Sequence, residues 1–188
     1  MSRSDRGRPP LSVGGKTIVF DGGIKLDNEM SKDINFKSDD YTFSIRTVGV
    51  TVCDGKVLLQ REKDGNEYAL PGGTVKLGET SVETLVREYK EETGDDIIVN
   101  RLIWTEENFW EYCGKKQHSI AFYYLIDFSD DAKTLKLNEF VSQKDNCSVI
   151  LGWMPIENLK DITIFPSFLK DEIHNLNSEI KHFISRDY

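Results

Sequence analysis

The chain has 188 residues, 38% of them hydrophobic and 30% charged, with a formal net charge of -8. Those proportions are ordinary for one soluble globular domain with a real core, and no stretch is long and apolar enough to cross a membrane. The acidic balance argues against nucleic acid held on a broad basic surface, but it leaves room for a small anionic substrate, because a bound metal can bring positive charge locally.

Residues 1–38 read as a flexible N-terminal extension, set apart from a domain over residues 39–188. The opening is basic and polar and closes on Pro9-Pro10, and residues 17–26 suit a small hairpin around Asp21-Gly22-Gly23. The stretch before Met30 is expected to be a vector-derived leader or the product of an alternative start. Residues 41–53 are rich in β-branched and aromatic side chains (Phe43, Ile45, Val48, Val50, Val52) and predict a strand. Asp54-Gly55 turns the chain, and residues 56–61 return as a second strand. After Asp64-Gly65-Asn66 the chain runs through Tyr68-Ala69-Leu70 into Pro71-Gly72-Gly73.

A helix follows over residues 81–93. Thr80 is its predicted N-cap, Glu83 completes a capping box, and Gly94 is a stop signal. Val82, Leu85, Val86 and Tyr89 recur at the spacing of one buried face. Glu88, Glu91 and Glu92 fall on a sector beside it, where like charges repel by a few tenths of a kcal/mol per pair. A solvated acidic face accounts for the glutamates alone. It does not account for the glycines ahead of the helix or for Arg87 among the acids. A site for a hard divalent cation accounts for all of them.

Beyond the helix, residues 97–110 predict a strand, Cys113-Gly114-Lys115 a turn, and residues 118–128 the most strand-like run in the chain. Residues 129–146 are polar and irregular. Residues 149–155 predict a last strand carrying Trp153. Leu169, Ile173, Leu176, Ile180, Phe183 and Ile184 then predict a helix over about residues 167–185. Cys53, Cys113 and Cys147 show no zinc spacing and read as free thiols of a reducing cytoplasm. Strands interleaved with two helices give an α/β (α+β) class, a mixed sheet with helices on its faces.

The residues Gly73, Glu79, Arg87, Glu88, Glu91, Glu92 and Gly94 match G-x5-E-x7-R-E-U-x-E-E-x-G-U at every fixed position. That pattern is the Nudix box, and the chain resembles the Nudix hydrolase superfamily (MutT-like). The two usually aliphatic positions hold Tyr89 and Asp95; Tyr89 can fill a core slot, whereas Asp95 is expected to disturb the packing just after the helix. The resemblance implies an αβα sandwich with the box helix beside a mixed sheet. It implies hydrolysis, dependent on Mg2+ or Mn2+, of a phosphoanhydride in a nucleoside diphosphate linked to another moiety, with nucleoside triphosphates and dinucleoside polyphosphates as leading substrates. By the same resemblance Glu91 and Glu92 are metal ligands and the Gly73 carbonyl is a candidate for another, while Glu88 is a third ligand or the base that activates water. Arg87 pairs with the glutamates, and Glu79 braces the loop.

Outside the box, Arg61 and Arg46 are candidates to meet phosphates. Tyr112 stands about where some dinucleoside-polyphosphate hydrolases carry a tyrosine. Glu139 is preferred over Asp130, Asp131 and Asp145 as a further acid, and Trp104, Phe109, Trp110 and Tyr112 are candidates to stack a base, with at least half of them expected in the core. Two other readings stand beside the enzyme: a non-catalytic nucleotide-sensing module, and an RNA-end pyrophosphohydrolase. The complete box disfavours the first and the negative charge the second. The expected partner is a small nucleotide, with neither membrane nor nucleic acid; homodimers are common in the superfamily, but no residue here specifies one.

Overall fold

The computed structural model describes residues 32–112, 114–144, 148–177 and 179–187. The expected hairpin at residues 17–26 and the leader before Met30 lie outside them. In chain order the strands before the first helix are β1 (Asn35–Lys37), β2 (Tyr41–Val50), β3 (Val52–Cys53), β4 (Lys56–Glu62), β5 (Glu67–Ala69) and β6 (Gly72–Thr74). Helix α1 (Ser81–Thr93) leads to the long strands β7 (Ile97–Tyr112) and β8 (Lys115–Phe128). Then come β9 (Glu139–Val141), β10 (Val149–Pro155), β11 (Thr163–Phe165), the short helix α2 (Leu169–Glu172) and β12 (Lys181–Arg186). Strand β1 already pairs with β2, so ordered pairing begins ahead of the expected boundary at residue 39.

The class is the expected mixed α+β fold. Where the sequence suggests one mixed sheet, the strands divide between two. One runs β1-β2-β8-β7-β12 with β6 added on β2; the other runs β11-β5-β4-β10-β9 with β3 added on β4. Both mix parallel and antiparallel pairs: β2 runs parallel to β8, and β8 antiparallel to β7. Adjacent residues of one strand face opposite ways, and Leu58 and Leu59 show the consequence. Leu58 packs in a cluster with Leu85 and Tyr89 of α1, Ile126 and Leu151. Leu59 packs in the other cluster, with Val50, Trp104, Leu159 and Leu169. Helical segments therefore cover apolar clusters on opposite faces of β4.

Helix α1 has the predicted bounds. The Thr80 hydroxyl accepts from the Glu83 N–H at 3.1 Å, and the Glu83 carboxylate accepts from the Thr80 N–H at 2.8 Å, closing the capping box. Gly94 takes the left-handed conformation at φ 78° that ends the helix. The buried face is not the expected one. Leu85 and Tyr89 are buried, but Val82 and Val86 are 39% and 38% exposed, while Glu88 and Glu92 are each only 4% exposed. The face toward the sheet thus reads Leu85, Glu88, Tyr89, Glu92, and the acids lie on it rather than beside it.

The predicted helix over residues 167–185 is corrected. The chain makes only α2 and one 3-10 turn (Ile173–Asn175), then becomes β12, parallel to β7. The apolar stripe at Leu169 and Ile173 is buried as a helical face. From Lys181 onward burial alternates, with Phe183 and Ser185 inward and His182, Ile184 and Arg186 outward. Phe183 satisfies either period, and the backbone of β7 offers the open ladder that makes the strand the better choice.

Candidate active site

Gly73, in β6, pairs with Thr47 of β2 and lies against α1. A Cβ on Gly73 would stand 2.2 Å from the Glu88 carboxyl carbon, so only glycine lets the acid reach this position. The turn and the helix are one device: the missing side chain makes the space that the buried carboxylate fills.

Arg87 organises that carboxylate and its neighbours. Its Nε and Nη2 donate to the two oxygens of Glu79, each at 2.9 Å, in a bidentate pair. Its Nη1 donates to Glu88 Oε1 at 2.7 Å and to Glu91 Oε2 at 3.3 Å. Thr84 adds a hydrogen bond to Glu79 Oε2 at 2.8 Å. The guanidinium bonds, foremost among the causes, hold the Glu79 pKa down to about 2. Burial would raise the Glu91 pKa, but hydrogen bonding and charge from Lys144, with the Arg87 charge, outweigh it and bring it below its ordinary value.

Lys144 was not singled out by its place in the sequence. Its ammonium donates to Glu88 Oε2 and, at 3.0 Å, to Glu91 Oε2. Burial by itself would lower the Lys144 pKa, yet the two carboxylates together raise it. Among the described residues no three His, Cys, Asp or Glu side chains are gathered as a ready metal cage. Glu88 and Glu91 instead share two cations, the Arg87 guanidinium and the Lys144 ammonium. The donors suit a hard divalent cation: they are carboxylate oxygens already set around a positive charge, beside a third glutamate, Glu92, buried on the same helix face.

Asp95 does not disturb the packing as expected. Its carboxylate accepts from the Thr134 N–H at 2.7 Å and hydroxyl at 2.6 Å, tying the end of α1 to the 3-10 turn Thr134–Lys136. Tyr89 fills a core slot, and its hydroxyl donates to the Gly49 carbonyl at 3.1 Å.

A cavity of about 530 Å³ is lined by residues of β2, β4, β5, β7, β8 and β11 and by none of the side chains of this centre. Arg46 and Tyr112 line it, with Trp110, Asn108, Glu106 and Tyr123. Arg46 pairs through the backbone with Thr74, so the strand that carries it also abuts the glycine turn. At one wall the buried Glu106 accepts hydrogen bonds from the Tyr123 hydroxyl and, at 2.5 Å, from Ser185 of β12. Of the four candidate stacking residues, Trp110 and Tyr112 line the cavity. Trp104 is core, and Phe109 stacks on His118 with centroids 4.2 Å apart. Arg61 and Glu139 are brought to each other instead, at 2.8 Å, beside a separate hollow of about 160 Å³. Asp145 lies outside the described residues. The cavity residues Glu106, Asn108 and Tyr123 had no motif to announce them: the first two share one face of β7, and strand pairing brings Tyr123 of β8 to them.

The NUDIX domain family model matches residues 44–174, which include the glycine turn, α1, Lys144 and most of the cavity wall. The chain belongs to this family. Divalent-metal use is typical of its members. An ADP-ribose pyrophosphatase of Methanocaldococcus jannaschii is 49% identical over 49 residues, 24% of this chain and 29% of that protein. The putative ADP-ribose pyrophosphatase YjhB of Bacillus subtilis is 38% identical over 55 residues, 29% of this chain and 26% of that protein. The matched stretches thus span under a third of either curated relative. The crystal structure of a MutT protein from Bacillus halodurans superposes with a TM-score of 0.53 at 22% identity, covering 77% of this chain and 91% of that one, and shares the fold. No helix among the described residues is long and apolar enough to cross a membrane.

Proposed function

We propose that this NUDIX family chain is a pyrophosphohydrolase, dependent on Mg2+ or Mn2+, that cleaves the phosphoanhydride of a nucleoside diphosphate linked to another group. The observation that carries this reading is the pair Glu88 and Glu91 held against Gly73 by two shared cations, Arg87 and Lys144; a cavity of about 530 Å³, whose wall includes the strand β2 that pairs with Gly73, supports it. A cavity of that volume falls within the range of small-molecule sites.

Glu91 and Glu92 would hold the metal with the Gly73 carbonyl as a further ligand, and Glu88 would either complete the set or accept the proton of the attacking water. The bound metal supplies neutralisation of the phosphate charge and a more acidic water. Arg87 holds Glu88 and Glu91 in fixed rotamers, with Glu79 locking the guanidinium from its other side. Arg46, Trp110 and Tyr112 line the cavity, which supports a reading in which Arg46 would meet a phosphate and the two aromatic side chains would stack a nucleobase. Arg61, already bonded to Glu139, is the weaker phosphate candidate. The free Cys53 thiol accords with a reducing cytoplasm, where we place the reaction.

The relatives named as ADP-ribose pyrophosphatases put ADP-ribose beside nucleoside triphosphates and dinucleoside polyphosphates in the test panel. Product release is measured for each with Mg2+ and with Mn2+, and Glu92→Gln is run in parallel. Turnover of one class, reduced at least 100-fold in the variant, supports the reading and names the substrate. Binding without turnover in the parent chain makes the protein a nucleotide sensor instead.

A further inference from the structure

The segment after β9 is fastened to the end of α1. Gln143 donates its backbone N–H to the Glu92 carbonyl at 2.9 Å and its side-chain amide to the Thr93 carbonyl at 3.0 Å. Both acceptors belong to the last turn, whose carbonyls the helix leaves without partners of its own. Ser142 holds Lys144 through its hydroxyl, which accepts from the Lys144 N–H at 3.3 Å. So anchored, Lys144 lays its ammonium between Glu88 Oε2 and Glu91 Oε2, although it lies 56 residues beyond Glu88 in the chain.

Two carboxylates at i and i+3 repel unless a cation stands between them. Arg87 meets Glu88 on Oε1, which leaves Oε2 to Lys144, and both cations meet Glu91 on the same oxygen. A lysine ammonium is a compact point charge with directionally free donors, and the C-terminal end of a helix favours a cation. A divalent metal held by Glu91 and Glu92 would share the Glu91 carboxylate with Lys144, and the Glu88 carboxylate as well where Glu88 completes the ligand set. Ammonium and metal cannot both hold them, because each would face the other's charge at contact distance.

We propose that Lys144 is the resident counter-cation of the acidic centre: it keeps Glu88 and Glu91 together until a divalent cation takes their oxygens, and by competing with that cation it sets the affinity of the site for metal. This rests on the metal-binding reading given above, but it is read by binding rather than by turnover.

The test uses the full chain as parent, Lys144→Met and Lys144→Arg. Free Mn2+ is followed by its paramagnetic resonance signal at neutral pH and fixed ionic strength. Lys144→Met is expected to bind Mn2+ about tenfold more tightly, between the screened and half-buried limits for removing one adjacent unit charge. Lys144→Arg should stay near the parent. Without metal, Lys144→Met should melt below the parent and recover more on addition of Mg2+. If the methionine variant does not fold without metal, Lys144→Gln is judged by the same affinity criterion. Equal or weaker Mn2+ binding in the uncharged variant overturns the proposal and leaves the metal site standing. No Mn2+ binding by parent or variant overturns both.

Discussion

The acidic centre and the cavity are built in opposite ways. Apart from Lys144, every residue of the centre comes from the stretch 73–92, and its geometry is set by ionic bonds of 2.7–3.3 Å around Arg87. The cavity draws on β2, β4, β5, β7, β8 and β11: Glu106, Asn108, Trp110 and Tyr112 alternate along β7, and strand pairing brings Arg46 and Tyr123 to them. On the reading proposed above, chemistry that must be held to fractions of an ångström is concentrated on one turn and one helix, and recognition is spread over strands whose exposed positions can vary without moving that centre. Loss at the centre should therefore appear in kcat, and loss in the cavity in KM.

The largest effect should follow Gly73→Ala. The added methyl would stand 2.2 Å from the Glu88 carboxyl carbon and 2.4 Å from its Oε1, the oxygen held by Arg87. Either Glu88 swings away or β6 parts from β2. Displacement of a catalytic group by about 1 Å can cost on the order of 100-fold, and we expect a loss of about that size, chiefly in kcat. Steady-state rates on whichever substrate the panel identifies decide this. A kcat within about threefold of the parent would mean that the close approach of Gly73 and Glu88 is packing without consequence for the chemistry.

The opposite arm of the comparison is Trp110→Ala. Trp110 lines the cavity and takes no part in the ionic network. Aromatic stacking on a base contributes roughly 1–3 kcal/mol, so KM should rise about tenfold with kcat held within about twofold, and Trp110→Phe should recover most of the loss. A fall in kcat at unchanged KM would break the division between the two regions.

That division also explains how much could be read from the sequence. The box helix was legible in its bounds, cap and stop because those signals are local. Its buried face was misread. Val82 and Val86 are the more apolar choice by residue type, but Gly73 leaves room for Glu88, and Arg87 and Lys144 neutralise it, so burial of an acid becomes tolerable. Lys144 was invisible because nothing in residues 142–144 signals that Gln143 clasps the helix end. The final stripe from Leu169 to Ile184 matched a helix, but an apolar pattern cannot show that β7 has an edge to fill. Asp95 looked like a fault in the pattern and proved to be a side-chain bond to Thr134, a partner 39 residues away.

The smallest effect, and the finest test of the centre's ionic construction, is Glu79→Gln. Glu79 touches neither the expected metal position nor the cavity; it locks Arg87 from behind. Its folded-state pKa is depressed from 4.5 to about 2, first by the Arg87 hydrogen bonds. The stabilisation from this carboxylate is therefore fully present above about pH 4.5 and is lost as the pH falls from there through about 2. At neutral pH the glutamine variant should be less stable by roughly 2 kcal/mol, a magnitude in line with a hydrogen bond to a charged group. Other acids with lowered pKa values, Glu83, Glu91 and Asp95, also destabilise the parent in acid. Parent and variant share those acids, so the difference between their urea-unfolding free energies isolates Glu79. That difference should shrink steadily below pH 4.5. A gap that stays constant down to pH 2.5 would show that Glu79 braces Arg87 by shape alone, and the centre would then owe its rigidity to packing rather than to charge.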